Sequence, residues 1–139
     1  MAGLEAILQT PFGQTAANYS VALLSLIVFL AVFETITPYN NWEEIKKGNI
    51  AVALATGGKI FGVANILHFS ILHNDQILTT IVWGCLGFVL LIISYLVFEF
   101  LTPMFKVDEE LANDNRAVGL IAFIISAGLS FVIGAGILS

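Results

Sequence analysis

Four apolar stretches, residues 20–37, 49–68, 76–101 and 115–138, decide what this chain can become. Each approaches or exceeds the ~20 residues that a helix needs to cross a bilayer. They predict an all-α membrane fold of four transmembrane helices. The third stretch is longer than a span requires, so it tilts or projects beyond the bilayer. Of the 139 residues, 58% are hydrophobic and 11% charged, with a mean hydropathy of +0.95. A soluble domain of this size needs far more polar surface. The chain therefore has almost no room for one.

The spans are not independent of each other. Val32-Phe33-Glu34-Thr35-Ile36-Thr37-Pro38 is echoed by Val97-Phe98-Glu99-Phe100-Leu101-Thr102-Pro103, with five identities in seven positions. The correspondence continues at an offset larger by one. Glu43-Glu44 aligns with Glu109-Glu110, Asn49-Ile50-Ala51-Val52 with Asn115-Arg116-Ala117-Val118, and Gly62 with Gly128. The chain thus reads as one unit written twice. Residues 1–19 form a tail, residues 20–75 a first repeat with its loop at 38–48, and residues 76–139 a second with its loop at 103–114. Each copy is a helical hairpin of two spans, so both enter the membrane in the same direction. That predicts two parallel repeats related by a pseudo-two-fold axis along the membrane normal.

Basic residues set the orientation. Lys46, Lys47 and Lys106 lie in the two loops after the Thr-Pro steps, Arg116 begins the fourth span on the same side, and Lys59 is inside a span. The positive-inside rule puts both loops in the cytoplasm and both termini outside. The tail carries no Lys or Arg and no cleavage motif, unlike a signal peptide. The net charge of −5 comes mostly from the short loops, and the absence of any basic cluster argues against nucleic-acid binding. Cys85, the single cysteine, excludes an internal disulfide.

Local chemistry supports the span boundaries. Pro38 and Pro103 end helices, because proline lacks a donor and clashes with the preceding turn. Asn49 and Asn115 suit the N-caps of the spans that follow. Tyr39 and Trp42 lie where interfacial aromatics do. Three ordered motifs then stand out: Glu34-x-x-Thr37-Pro38, Glu44-Ile45-x-x-Gly48-Asn49-Ile50-Ala51-Val52-Ala53 and Gly57-Gly58-Lys59-x-x-Gly62. With a degenerate second copy, they resemble a family of small bacterial membrane proteins, domain of unknown function 350. The resemblance covers nearly the whole chain and implies a four-span protein of the bacterial inner membrane. It brings no established activity, cofactor or catalytic residue. The second copy departs from the first at Phe123-Ile124 and Ile125, where the paired glycines and Lys59 would fall. If the lysine carries function, only one half supplies it.

Three ionisable residues are the candidates for chemistry. Lys59 lies 11 residues beyond Gly48. That is ~16 Å along a helix, about half the depth of a ~30 Å hydrocarbon core. A lysine there costs ~2.5–3.5 kcal/mol on insertion scales and calls for a partner. Glu34 and Glu99 are the obvious choices, directly or through water. The group is read as a polar pathway or as a structural ion pair locking the bundle. Ala51, Ala55, Gly58, Gly62 and Asn65 make a stripe on the second span, and Gly119, Ala122, Ser126, Ser130 and Gly134 a looser one on the fourth. Such stripes let helix backbones approach closely, between the repeats or between subunits. Glu43, Glu44, Asp108, Glu109 and Glu110 make both loops acidic. They are solvated helix-start acids or a surface for a cytoplasmic protein partner.

His68, His73 and Asp75 mark the far loop, at spacings that suit a metal poorly, so no metal or cofactor is expected. No nucleophile motif, His-Glu-x-x-His or phosphate-binding glycine loop occurs, which argues against an enzyme. Two function classes follow. One is a small ion or proton channel or carrier, homo-oligomeric because four spans enclose little volume. The other is a membrane anchor or scaffold working through its acidic loops.

Overall fold

A computed structural model describes residues 2–73, 76–102, 104 and 106–138. All regular structure among them is helical: α1 (Ala2–Gln9), α2 (Pro11–Ile36), α3 (Asn41–Lys46), α4 (Ile50–His73), α5 (Ile77–Leu101), α6 (Val107–Ala112) and α7 (Arg116–Leu138). The four long helices α2, α4, α5 and α7 are each apolar and long enough to cross a membrane. Three start within one residue of the hydropathy boundary. The first does not. It begins at Pro11 rather than at residue 20, and α1 precedes it, so the tail is helical. Thr10 is the reason. Its hydroxyl accepts a 3.0 Å bond from Gly13 N, and Pro11 occupies the first helical position. Gln14, Thr15 and Asn18 dilute the hydropathy of these turns without breaking the helix.

α4 and α7 form the centre. A Cβ on Gly119 would lie 2.7 Å from Ala51 Cα, and one on Gly58 2.7 Å from Phe123 Cα. Only glycine allows backbones this close. Ala51, Ala55, Gly58 and Gly62 are buried in this contact, as are Gly119, Ala122, Ser126 and Ser130. Asn65 closes it with a 3.0 Å bond from Nδ2 to Ser130 Oγ. The small-residue seam therefore joins the two halves of one chain. α5 packs on both central helices, and α2 lies against α4 and α5. α2 buries only Gly13, Phe29 and Phe33, and its remaining surface is largely apolar and exposed, as a lipid-facing helix requires. Phe29 and Phe33 meet Phe88 of α5, at ring-centroid distances of 4.2 and 5.2 Å. With Val63, Ile66, Leu67 and Leu91 they fill the mid-bundle core.

α3 and α6 cap the same end of the bundle, each leading into a central helix through the same turn. Gly48 N donates to Ile45 O and Asn49 N to Glu44 O, at 2.9 and 3.0 Å. Asp114 N donates to Leu111 O and Asn115 N to Glu110 O, at 3.0 and 2.9 Å. These are Schellman pairs, and they need a left-handed residue after the helix. Gly48 (φ 91°) and Asp114 (φ 59°) supply it. The expected caps follow: Asn49 Oδ1 accepts from Val52 N at 3.0 Å and Asn115 Oδ1 from Val118 N at 3.5 Å. Asn49 Nδ2 also donates to Leu111 O and Ala112 O, and Ala51 N to Asp114 Oδ1, which stitches α4 to the other half.

Candidate functional site

Glu34, Lys59, Tyr95 and Glu99 gather between the aromatic core and the α3–α6 end. Lys59 faces inward from α4 and is 3% exposed. Its Nζ lies 5.1 Å from the Phe33 ring centroid and 4.8 Å from that of Tyr95. Both are cation–π distances. Among the described residues Nζ makes no hydrogen bond and no ion pair. The direct pair anticipated with Glu34 or Glu99 is therefore not formed, although the charges of Asp108 and Glu34 act on the ammonium.

Each glutamate is engaged elsewhere. Glu34 Oε1 accepts the backbone N–H of Asn41 at 3.0 Å, and Oε2 accepts from Asn41 Nδ2. Asn41 is the first residue of α3, so this carboxylate fastens the end of α2 to the N-terminus of the short helix, where a negative charge is favourable. Asn41 Nδ2 also reaches Thr37 Oγ1 at 3.2 Å, and Asn40 Oδ1 accepts from Glu43 N at 3.1 Å as the N-cap. Glu99, on α5, instead lies within side-chain hydrogen-bond reach of Asp108 on α6. Asp108 also takes a very short bond from the Tyr95 hydroxyl. The two copies of the Glu phrase thus end in different contacts: Glu34 holds α3, and Glu99 meets a second acid. Pro103 of the second phrase lies outside the described residues.

Tyr39, just after α2, completes the cluster. Its hydroxyl is buried without a partner among the described residues. Burial pushes the phenol well above its usual range, and the carboxylates of Asp108, Glu34, Glu44 and Glu99 add to that, so it stays a neutral donor. A cavity of about 10 Å³ lies beside Lys59, lined by Phe33, Glu34, Asn41, Trp42 and Thr56 among others. A far larger one, about 430 Å³, lies at the opposite end among Gln9, Gln14, Asn18 and Gln76, and none of the clustered ionisable groups lines it.

The loop acids divide. Glu43 and Glu109 are exposed. Glu44 and Glu110 are half-buried and accept from the cap residues Asn49 and Asn115 at 3.3 and 2.8 Å. Asp108 turns inward to Tyr95. Lys106 and Arg116 form exposed ion pairs with Glu109 and Asp114, at 3.9 and 3.7 Å. His68 and His73 are exposed, and Asp75 lies outside the described residues. No three His, Cys, Asp or Glu side chains gather as a metal site among the described residues. Sequence reasoning missed Tyr95, Tyr39, Thr56 and Asn41 as members of the cluster. Tyr95 had a signal, since it lies one turn before Glu99 and shares its helix face. Asn41 and Tyr39 had none, because a bent loop brings them in.

Comparison with known proteins agrees with this architecture. The model of the family Domain of Unknown Function (DUF350) matches residues 6–137. The chain is 62% identical over 124 residues to the UPF0719 transmembrane protein YshE of Bacillus subtilis (strain 168), covering 89% of this chain and 92% of that one. It is 27% identical over 105 residues to the UPF0719 inner membrane protein YjfL of Escherichia coli (strain K12), covering 76% and 78%. No solved structure matches. With its four apolar helices and a family match spanning almost its whole length, the chain is an integral membrane protein and belongs to the DUF350 family.

Proposed function

We propose that this protein is a small ion or proton channel or carrier of the bacterial inner membrane, working as a homo-oligomer. Lys59, Glu34 and Glu99, joined by Asp108, Tyr95 and Tyr39, are its polar pathway. One observation carries the reading. Lys59 is buried in a membrane span with no hydrogen bond and no ion pair among the described residues. A cation held that way costs several kcal/mol by general estimates, and bundle stability alone would favour an apolar residue. Two parallel hairpins with cytoplasmic loops and outer termini put the cluster near the cytoplasmic face. The packed rings of Phe29, Phe33 and Phe88 close it on the outer side. Conduction therefore needs those rings to move, or a path between copies.

A second reading has its own support. Glu43 and Glu109 are exposed on α3 and α6, and the neighbouring Trp42 is 55% exposed. An acidic surface with an exposed indole suits a scaffold that recruits a cytoplasmic protein through basic residues.

Lys59→Met separates the two. On the pathway reading, the variant reconstituted in vesicles loses proton or ion flux, while its melting temperature in detergent stays level or rises. Flux equal to wild type, with equal or higher stability, overturns the pathway. If Glu43→Lys/Glu109→Lys then abolishes capture of a cytoplasmic protein, the scaffold stands.

A further inference from the structure

Of the buried polar side-chain atoms without a hydrogen-bond partner among the described residues, three belong to residues lining one cavity: Lys59 Nζ, Thr56 Oγ1 and Asn41 Oδ1. Their residues are 3%, 5% and 4% exposed. They come from different places. Lys59 and Thr56 are one turn apart on α4, and Asn41 opens α3. Glu34, from α2, lines the same cavity with its carboxylate already fixed by Asn41. Leaving a buried polar group unpaired costs ~1–3 kcal/mol, and more when it is charged. Three around one cavity are not scattered packing faults. They mark a shared ligand.

We propose that this cavity is a binding site for a single water molecule, which couples Lys59 to Glu34. Size limits the occupant. The cavity is about 10 Å³, and one water needs roughly 10–15 Å³ measured this way. Any organic ligand is too large. Charge and hydrogen-bond character decide the rest. The Lys59 ammonium is a donor only, the Thr56 hydroxyl donates or accepts, Asn41 Oδ1 is an acceptor only, and the Glu34 carboxylate accepts. A water takes two bonds, from Lys59 and Thr56, and gives two, to Asn41 Oδ1 and Glu34. All four of its valences are used and all three orphan atoms are paired. A halide would satisfy the two donors, but it would face the Asn41 carbonyl and the Glu34 carboxylate without a proton between them. The ion pair missing from the direct contacts is thus water-bridged. Thr56 and Asn41 are positioning residues that hold the water.

The site does not depend on transport, so it is tested by itself. The whole chain is crystallised from a lipidic phase with bromide replacing chloride, at a resolution that shows ordered water. The expected result is one density peak within about 2.7–3.2 Å of Lys59 Nζ, Thr56 Oγ1 and Asn41 Oδ1, with no anomalous bromide signal. Thr56→Val keeps the shape and removes one donor, so the peak should disappear, and Thr56→Ser should retain it. A Lys59 Nζ bonded directly to Glu34, a bromide signal at the site, or a peak unchanged in Thr56→Val overturns the proposal. If Thr56→Val does not fold, the wild-type density and the bromide signal still decide. A peak present in a protein without flux would overturn the pathway and leave the water site standing. Flux with a direct Lys59–Glu34 contact would do the reverse.

Discussion

A lysine that sits between two rings and away from the nearest carboxylates is held by weaker forces than an ion pair. Each cation–π contact contributes ~0.5–2 kcal/mol, which offsets only part of the several kcal/mol that burying a lysine in hydrocarbon costs. Tyr95 does two jobs here: its ring faces Lys59 and its hydroxyl donates to Asp108. Tyr95→Phe keeps the first and removes the second. It should lower stability by about 1.5–3 kcal/mol, the range for hydrogen bonds to charged groups, read from denaturation in detergent. No change would mean that the Asp108 bond carries no weight. Tyr39 yields a pH test. Its folded phenol titrates above the ordinary value of 10.0, so its contribution is complete below that pH and is lost as pH rises beyond it. The alkaline fall in melting temperature should be shallower in Tyr39→Phe than in wild type, and equal slopes would contradict the assignment.

Between elements, the glycines of α4 differ sharply in what they do. Gly58 touches the backbone of Phe123, whereas a Cβ on Gly57 would meet nothing within 4 Å. Gly58→Ala must push α4 from α7 and should cost about 1–3 kcal/mol, the usual range for overpacking. Gly57→Ala gains helix propensity and should be neutral or stabilising by up to ~1 kcal/mol. Thermal melts of the two variants side by side check this, and equal effects would refute the contact. The helices themselves were largely legible in the sequence. Apolar length marked the spans, Asn49 and Asn115 marked two starts, and the small-residue stripe marked the α4 contact face. The start of α2 was not legible, because Gln14 and Asn18 lower hydropathy while a Thr-Pro cap, not hydropathy, begins the helix.

At the scale of the whole molecule, α3 and α6 lie at one end with Lys46, Lys47, Lys106 and Arg116 at or beside them. If that end is cytoplasmic, a cysteine at position 46 in a Cys85→Ser background should react with an impermeant reagent only after the cells are opened. Strong labelling of intact cells would invert the topology. The corresponding turns at Gly48 and Asp114 support a parallel arrangement of the two halves. Superposition of 20–68 on 83–138 in an experimental structure tests it, and hairpins entering from opposite faces would refute it.

Taken alone, the sequence determined the class of the protein, its four apolar helices and the residues that face trouble in hydrocarbon. These follow from one-dimensional quantities: the length of apolar runs and the cost of a charge at depth. Which groups meet was decided only by the tertiary structure. Glu34 and Glu99 stand in the same phrase, yet one fastens Asn41 and the other meets Asp108. Their surroundings come from α3 and α6, whose placement depends on how α4 packs against α7. Lys59 called for a carboxylate partner. Folding gave it Phe33, Tyr95 and a small cavity instead, because the Glu34 carboxylate was already bound to a helix start that no periodicity in the chain reveals.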